Sequence, residues 1–209
     1  SPSRDWPLIV VPDSDVALRE LALSVRQKFD HPVFGITGSN GKTTTKEMLA
    51  AILGQKFNAL ATAGNYNNLW GLPLTILQAR EYHDFWLLEH GMNRPGEIAE
   101  LCAISRPTAG LVTTINESHS ENFTSIEGIA RTKLALYESL PGDGVTFQNI
   151  DDPLVKAFEP HTDQTITYGL HKDAEYRCDI LEMDNHSRTT ITINDGAAIS
   201  LQVSGEFQA

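Results

Sequence analysis

The residues Gly38-Ser39-Asn40-Gly41-Lys42-Thr43 combine the chemical types needed to hold a polyphosphate. Glycines let backbone N–H groups turn inward around an anion, a lysine reaches the β- and γ-phosphates, and a threonine hydroxyl ligates Mg²⁺. The strict phosphate-loop pattern has glycine five residues before the Gly-Lys pair, where this chain has Ile36. An ordinary strand-to-helix turn that happens to contain Gly-Lys-Thr is the plain alternative. The flanks argue against it. Val33, Phe34 and Ile36 read as a buried strand entering the loop, and Met48, Leu49, Ile52 and Leu53 recur at helical spacing beyond it. A strand, a glycine loop, Lys-Thr and a helix predict a nucleoside triphosphate site at Thr37, Gly38, Ser39, Asn40, Gly41, Lys42, Thr43 and Thr44.

Other candidates lie at the ends of predicted strands. Glu89 closes an apolar run and is placed to supply a second ligand for a phosphate-bound Mg²⁺; a surface or helix-capping acid is the alternative. His119 reads equally as a metal ligand or a solvated loop histidine. Asn149 and Asp152 either read a nucleobase edge or terminate a strand. The loop Ala63-Gly64-Asn65-Tyr66-Asn67-Asn68 is too rich in amides to be simple turn punctuation. Lys133 falls inside the apolar stripe Ile126, Ile129, Ala130, Leu134, Tyr137 of a predicted helix. Either its stem snorkels to water, or it points into the site as a charge partner or a modified group.

These residues need a scaffold to bring them together. Runs at 56–62, 84–88, 109–115, 145–148 and about 165–168 read as strands. Helices are expected between them, opening near Leu72-Pro73, at Pro95 and over 126–140. Asp13-Ser14-Asp15 caps a connecting helix ahead of the first strand. Such alternation predicts an α/β fold, a doubly wound, mostly parallel sheet with helices on both faces. Past about residue 174 the texture changes: 176–183, 188–193 and 198–203 alternate like antiparallel strands, with an Asn194-Asp195-Gly196 turn between the last two. Ligands of open parallel sheets bind at the carboxyl ends of the strands. That edge collects 37–43, 62–68, 89–93, 116–119 and 149–152.

Composition narrows the class. Net charge is −11, which argues against a nucleic-acid partner and requires local cations and a metal around any triphosphate. Two distant cysteines, Cys102 and Cys178, show no metal or redox spacing, and a reduced cytoplasmic setting is expected. No apolar run is long enough for membrane insertion, and a monomer is expected.

With these residues in hand, the chain resembles the central ATP-binding domain of the Mur ligases, ATP-dependent amide ligases of peptidoglycan precursor synthesis. The resemblance rests on TGSNGKTTTKEML (37–49), GNYNNLWGLPLTIL (64–77), EHGMNRPGEIAEL (89–101) and the 115–141 block beginning INESHSENF, with QNIDDP at 148–153. It implies ATP and Mg²⁺ as cofactors, with Lys42, Glu89, His119 and Lys133 as the catalytic set. Thr43 and Glu89 would hold one Mg²⁺ and His119 a second. Lys133 falls where related ligases carry a carbamylated lysine, which would add a metal-binding anion. Asn149 would face adenine with Asp152 nearby, and Thr62, Asn65, Asn67 and Asn68 would face the nucleotide-sugar substrate. The second and third blocks favour the branch that joins D-Ala-D-Ala to UDP-MurNAc-tripeptide through an acyl phosphate. A superfamily ligase with another acceptor, of folylpolyglutamate or cyanophycin synthetase type, and a non-ligating nucleotide-binding module are the rivals. The family usually has Met where this chain has His90, which leaves that side chain without a role. Residues 1–30 read as the end of an earlier domain plus the connecting helix and 31–209 as the central domain, with the C-terminal ligase domain absent.

Overall fold

The structure is a computed structural model that describes residues 8–117, 122–184 and 188–204. Its central strands are short apolar or β-branched runs: β1 (Val33–Thr37), β2 (Ala59–Ala61), β3 (Phe85–Glu89), β4 (Ala109–Val112), β5 (Val145–Asn149) and β6 (Gln164–Gly169). β3 is buried along its whole length, as befits a strand covered on both faces. Three further strands, β7 (Tyr176–Met183), β8 (Arg188–Ile193) and β9 (Ile199–Ser204), continue the sheet in the order β2-β3-β1-β4-β5-β6-β7-β8-β9. Pairing is parallel from β2 through β7 and antiparallel from β7 to β9. The antiparallel element is therefore joined edge-on to the main sheet, through a short parallel pairing of β7 with β6.

Among the described residues six helices complete the fold: α1 (Ser14–Arg26), α2 (Lys42–Leu53), α3 (Gly71–Ile76), α4 (Glu97–Ser105), α5 (Ile126–Glu138) and α6 (Pro153–Lys156). Asp13 caps α1 by accepting from the Asp15 and Val16 amides. Right-handed crossovers between parallel strands place α2 on one face and α3, α4 and α5 on the other. α4 accordingly packs against α1, α3 and α5, while α2 packs on β1, β2 and β3. The chain thus leaves β1 toward one face and leaves β3 and β4, its neighbours, toward the other. That divergence opens a crevice at their carboxyl ends. No helix among the described residues is long and apolar enough to cross a membrane.

Several elements are shorter than the sequence suggests. The run at 56–62 forms only β2, and the run at 109–115 leaves the ladder after Val112. Its next residues hold the loop after β1 instead: the Thr113 amide donates to Thr37 O, the Ser39 amide to Thr114 O, and the Thr113 hydroxyl to Asn40 O at 2.5 Å. The helix expected at Pro95 starts at Glu97, where Gly96 takes a left-handed φ of 82° and the Glu97 carboxylate accepts from the Asn93 and Arg94 amides. Asn194 and Asp195 both have positive φ, and the Gly196 amide donates to Ile193 O. That is the hairpin turn whose twist suits the flanking strands.

The core runs between sheet and helices through Ile36, Trp86, Leu88, Ile98, Leu101, Leu136 and Tyr137, all fully buried. Tyr137 is polar at its tip and is satisfied there. Its hydroxyl donates to Phe147 O at 2.6 Å and accepts from the Val112 amide at 3.1 Å, spanning β4 and β5 where their ladder ends.

Candidate functional site

Register sets the site. Ile36 pairs with Glu89 and Thr37 with Val112, so the ends of β1, β3 and β4 are level and their loops meet. The loop after β1 turns at Gly38, where φ is 146° and a Cβ would stand 1.8 Å from the Thr113 hydroxyl; only glycine fits there. Gly41, also left-handed, precedes α2, and among the described residues no side chain caps that helix. The first amides of α2 are thus free to meet an anion, and the helix dipole favours one there.

A cleft of about 560 Å³ opens over this loop, lined by Ser39, Asn40, Gly41, Lys42, Thr43, Thr44, Asn65, Asn67, Asn68, Glu89 and Lys133. Glu89 is almost fully buried at its floor, 2% exposed. The Thr43 hydroxyl donates to its Oε2 at 2.9 Å and the Asn67 amide to its Oε1 at 2.8 Å. A hydroxyl and a carboxylate oxygen together at a phosphate-binding helix are hard donors of the kind Mg²⁺ selects, with waters and phosphates completing its shell. The residues present therefore fit that ion. Among the described residues no three His, Cys, Asp or Glu side chains cluster as a ready-made metal cage, which agrees with an ion held partly by its nucleotide.

Two lysines converge on one carbonyl. Lys42 Nζ and Lys133 Nζ each donate to Gly38 O at 2.9 Å. Burial lowers the Lys42 pKa, with Glu89 opposing the shift. Burial and the neighbouring Lys42 charge pull Lys133 down to about 7. Lys133 is 1% exposed, so its stem does not snorkel to water, and it reaches the phosphate loop from α5.

Beneath the cleft further hydrogen bonds fix the backbone of Glu89. The Thr62 hydroxyl accepts from the Glu89 amide at 3.0 Å, and Thr62 O accepts from Lys46 Nζ. Lys46 is fully buried on α2 and also pairs with Glu47 at 2.7 Å. Thr62 thus departs from the expected substrate contact: it is 1% exposed and its hydroxyl is used inside the protein. Thr37 is likewise buried, donating to His90 O at 2.8 Å. Asn65, Asn67 and Asn68 do line the cleft, although the Asn68 oxygen also accepts from the Trp70 and Gly71 amides at the head of α3.

His90 has a structural explanation. Its Nδ1–H donates to Leu88 O at 3.0 Å, which leaves Nε2 to accept from the Ser105 hydroxyl at 2.9 Å. Burial pushes its pKa down to about 4, so it is a neutral bridge from β3 to the end of α4. His119 lies outside the described residues.

A second cavity of about 550 Å³ adjoins the first across Asn40 and Gly41, lined by Thr45, Met48, Thr114, Ile115, Asn149, Asp152 and Tyr168. Asn149 and Asp152 are both at its wall, but each is also structural. The Asn149 amide donates to Thr113 O at 2.7 Å; Asp152 accepts from the Ile115 amide and caps α6. The Thr114 hydroxyl is buried with no hydrogen-bond partner among the described residues. A cavity of about 610 Å³ between α1 and the segment after α3, lined by Phe29, Tyr82 and Trp86, holds none of the expected site residues. Volume alone does not mark the site; convergent chemistry does.

Sequence reasoning missed Lys46, Met48 and Tyr168 as site neighbours. For Lys46 one signal was available: it lies four residues after Lys42, with Leu49 and Leu53 three and seven residues on, hence on a helical face turned to the protein.

A parallel sheet with a glycine loop, an uncapped helix head and a buried carboxylate facing the loop threonine defines a P-loop nucleotide-binding domain. The particular family follows from comparison: the profile of the Mur ligase middle domain matches residues 36–209, and the chain belongs to that family. The UDP-N-acetylmuramoyl-tripeptide–D-alanyl-D-alanine ligase of Bacillus subtilis is 39% identical over 192 residues, covering 91% of this chain and 42% of that protein. Its Escherichia coli counterpart is 43% identical over 148 residues, 71% of this chain and 33% of that one. The MurF ligase of Thermotoga maritima, solved in complex with ADP, superposes with a TM-score of 0.84 at 29% identity, covering all of this chain and 49% of that chain. The chain therefore spans less than half the length of these relatives.

Proposed function

We propose that this chain is the ATP-binding domain of an amide ligase that joins D-Ala-D-Ala to UDP-MurNAc-tripeptide in peptidoglycan precursor synthesis. The observation that carries the reading is the Thr43–Glu89 pair, 2.9 Å apart, facing Lys42 and Lys133 in a single cleft. The relatives' names supply the acceptor and donor. In this reading the γ-phosphoryl of ATP passes to the substrate carboxylate, and the amine of the dipeptide then displaces phosphate and forms the amide.

The chain's own residues supply position and charge. Amides of the loop and of α2 cradle the phosphates, and Lys42 leaves Gly38 O to neutralise the transferred group. Thr43 and Glu89 would hold one Mg²⁺, and His119 would serve a second. Mg²⁺, when bound, would offset the phosphate charge and orient the phosphoryl oxygens. Asn149 and Asp152 would flank the nucleobase between Met48 and Tyr168, and Asn65 and Asn68 would face the nucleotide-sugar. A Lys133 amine near neutrality can add to carbon dioxide, forming a carbamate and releasing a proton. That anion would offer a hard oxygen ligand to a metal, which the protonated amine cannot. Heteronuclear NMR with labelled bicarbonate, showing no carbamate carbon at Lys133, would remove this step.

Phosphate release tests the whole reading. The full-length ligase to which we assign this domain is given Mg²⁺-ATP and UDP-MurNAc-tripeptide, with and without D-Ala-D-Ala. Release that depends on the dipeptide is expected. Release with another amine moves the acceptor but keeps the chemistry, and no stimulation by any amine reduces the chain to a nucleotide-binding module.

A further inference from the structure

The Glu89 carboxylate is held from both sides, by the Thr43 hydroxyl on Oε2 and the Asn67 amide on Oε1. An ionised carboxylate can only accept. The Asn67 NH₂ must therefore face Glu89, and its oxygen must face away. The amide group as a whole lies in the space that a side chain on Gly91 would need. A Cβ at Gly91 would stand 2.6 Å from Asn67 Oδ1, 2.7 Å from Cγ and 3.0 Å from Nδ2. The nearest obstacles to a side chain at position 91 are thus all atoms of one amide. Gly91 does not occupy the left-handed region, so space and not backbone conformation requires the glycine. The two residues are also tied directly, the Gly91 amide donating to Asn67 O at 2.7 Å.

We infer that Asn67 is a positioning residue for the metal-holding carboxylate, and that Gly91 is glycine to leave the Asn67 amide its place, so that the two act as one unit. This assigns Asn67 to Glu89 and away from the nucleotide-sugar, and it rests on the reading of Glu89 as a Mg²⁺ ligand. The terminal torsion of a glutamate is broad. Without the Asn67 bond, Oε1 is free to turn and the lone pairs offered to the ion are no longer fixed. Loss of such an outer partner weakens metal binding by roughly 10- to 100-fold.

The test uses this chain, a fluorescent ATP analogue and a Mg²⁺ titration on wild type, Asn67→Ala, Gly91→Ala and the double variant, with circular dichroism to confirm folding. Each single variant is expected to raise the half-saturating Mg²⁺ by about tenfold or more, with nucleotide affinity in EDTA unchanged. The double variant is expected to be no worse than Asn67→Ala, because the added methyl then has no amide to displace. Should Asn67→Ala fail to fold, Asn67→Ser replaces it in the same cycle. Unchanged Mg²⁺ requirements in both singles, or effects that multiply in the double, overturn the inference. Glu89→Gln separates the two levels. If it leaves the Mg²⁺ requirement at the wild-type value, the assignment of Glu89 falls and this inference with it. If it raises the requirement while the Asn67 and Gly91 variants do not, only this inference falls.

Discussion

Replacing Lys133 by Met isolates the energetics of a cation buried under the phosphate loop. The side chain is 1% exposed, and burial with the Lys42 charge takes its pKa from 10.5 to about 7. Below about pH 7 both folded and unfolded chains carry the proton, and the folded state bears the full penalty of the buried ammonium. As pH climbs from about 7 toward 10.5 the folded state has released a proton that the unfolded chain still binds. Stability must therefore rise with pH across that window. The gap amounts to roughly 5 kcal/mol, of which about 2.5 kcal/mol is recovered between about pH 6 and about pH 9. Methionine fills similar space and cannot titrate. It forfeits the bond to Gly38 O, worth roughly 1.5–3 kcal/mol, but that loss offsets absolute stability and leaves the missing slope visible. Urea unfolding of both proteins across this range, in buffer free of carbon dioxide so that the amine stays unmodified, gives the comparison. Lys42 is present in both and its own titration cancels. Wild type should gain about 2.5 kcal/mol more than Lys133→Met over the range. Parallel curves would refute the placement of a near-neutral lysine in this cleft.

Lys42→Ala should weaken Mg²⁺-nucleotide binding by roughly 10- to 100-fold, the worth of a charge-assisted phosphate contact; near-normal affinity in a fluorescence titration would remove the phosphate-loop assignment. His90, held neutral with a pKa of about 4 against 6.5, withholds a proton that the unfolded chain takes up as pH falls. Stability should drop by roughly 3 kcal/mol between about pH 6.5 and about pH 4, and His90→Leu should flatten that acid limb in a circular dichroism titration. Tyr137→Phe strands the Phe147 carbonyl and the Val112 amide in the core and should cost about 2–4 kcal/mol in urea unfolding, with nucleotide affinity unchanged.

Much of the fold was legible because its signals are local. The period-2 runs, the apolar helical spacing and the glycines mark strands, helices and the phosphate loop, and Glu89 was visible as an acid closing a buried strand. What escaped depended on neighbours distant in sequence. Polarity misordered α2: Ile52 is 65% exposed, whereas Lys46 is fully buried, because Thr62 O, just past β2, accepts from its ammonium. The end of β4 was overrun because Thr113 and Thr114 are β-branched, yet their hydrogen bonds go to the phosphate loop. Asn67 and Thr62 were recognised as site-edge residues, but which atoms they meet is fixed by the register of β2 against β3. No spacing rule contains that information.

The double engagement of Thr62 has a consequence for how the cleft fails. One residue joins the phosphate-loop helix, through Lys46, to the amide of Glu89, and it follows directly on β2, a three-residue strand at the outer margin of the sheet. Marginal strands open at lower free energy than the interior of a sheet. Fraying there takes a shared partner from Lys46 and from the Glu89 amide at once, so α2 and the floor of the cleft loosen together while β1, β4 and β5 still stand paired.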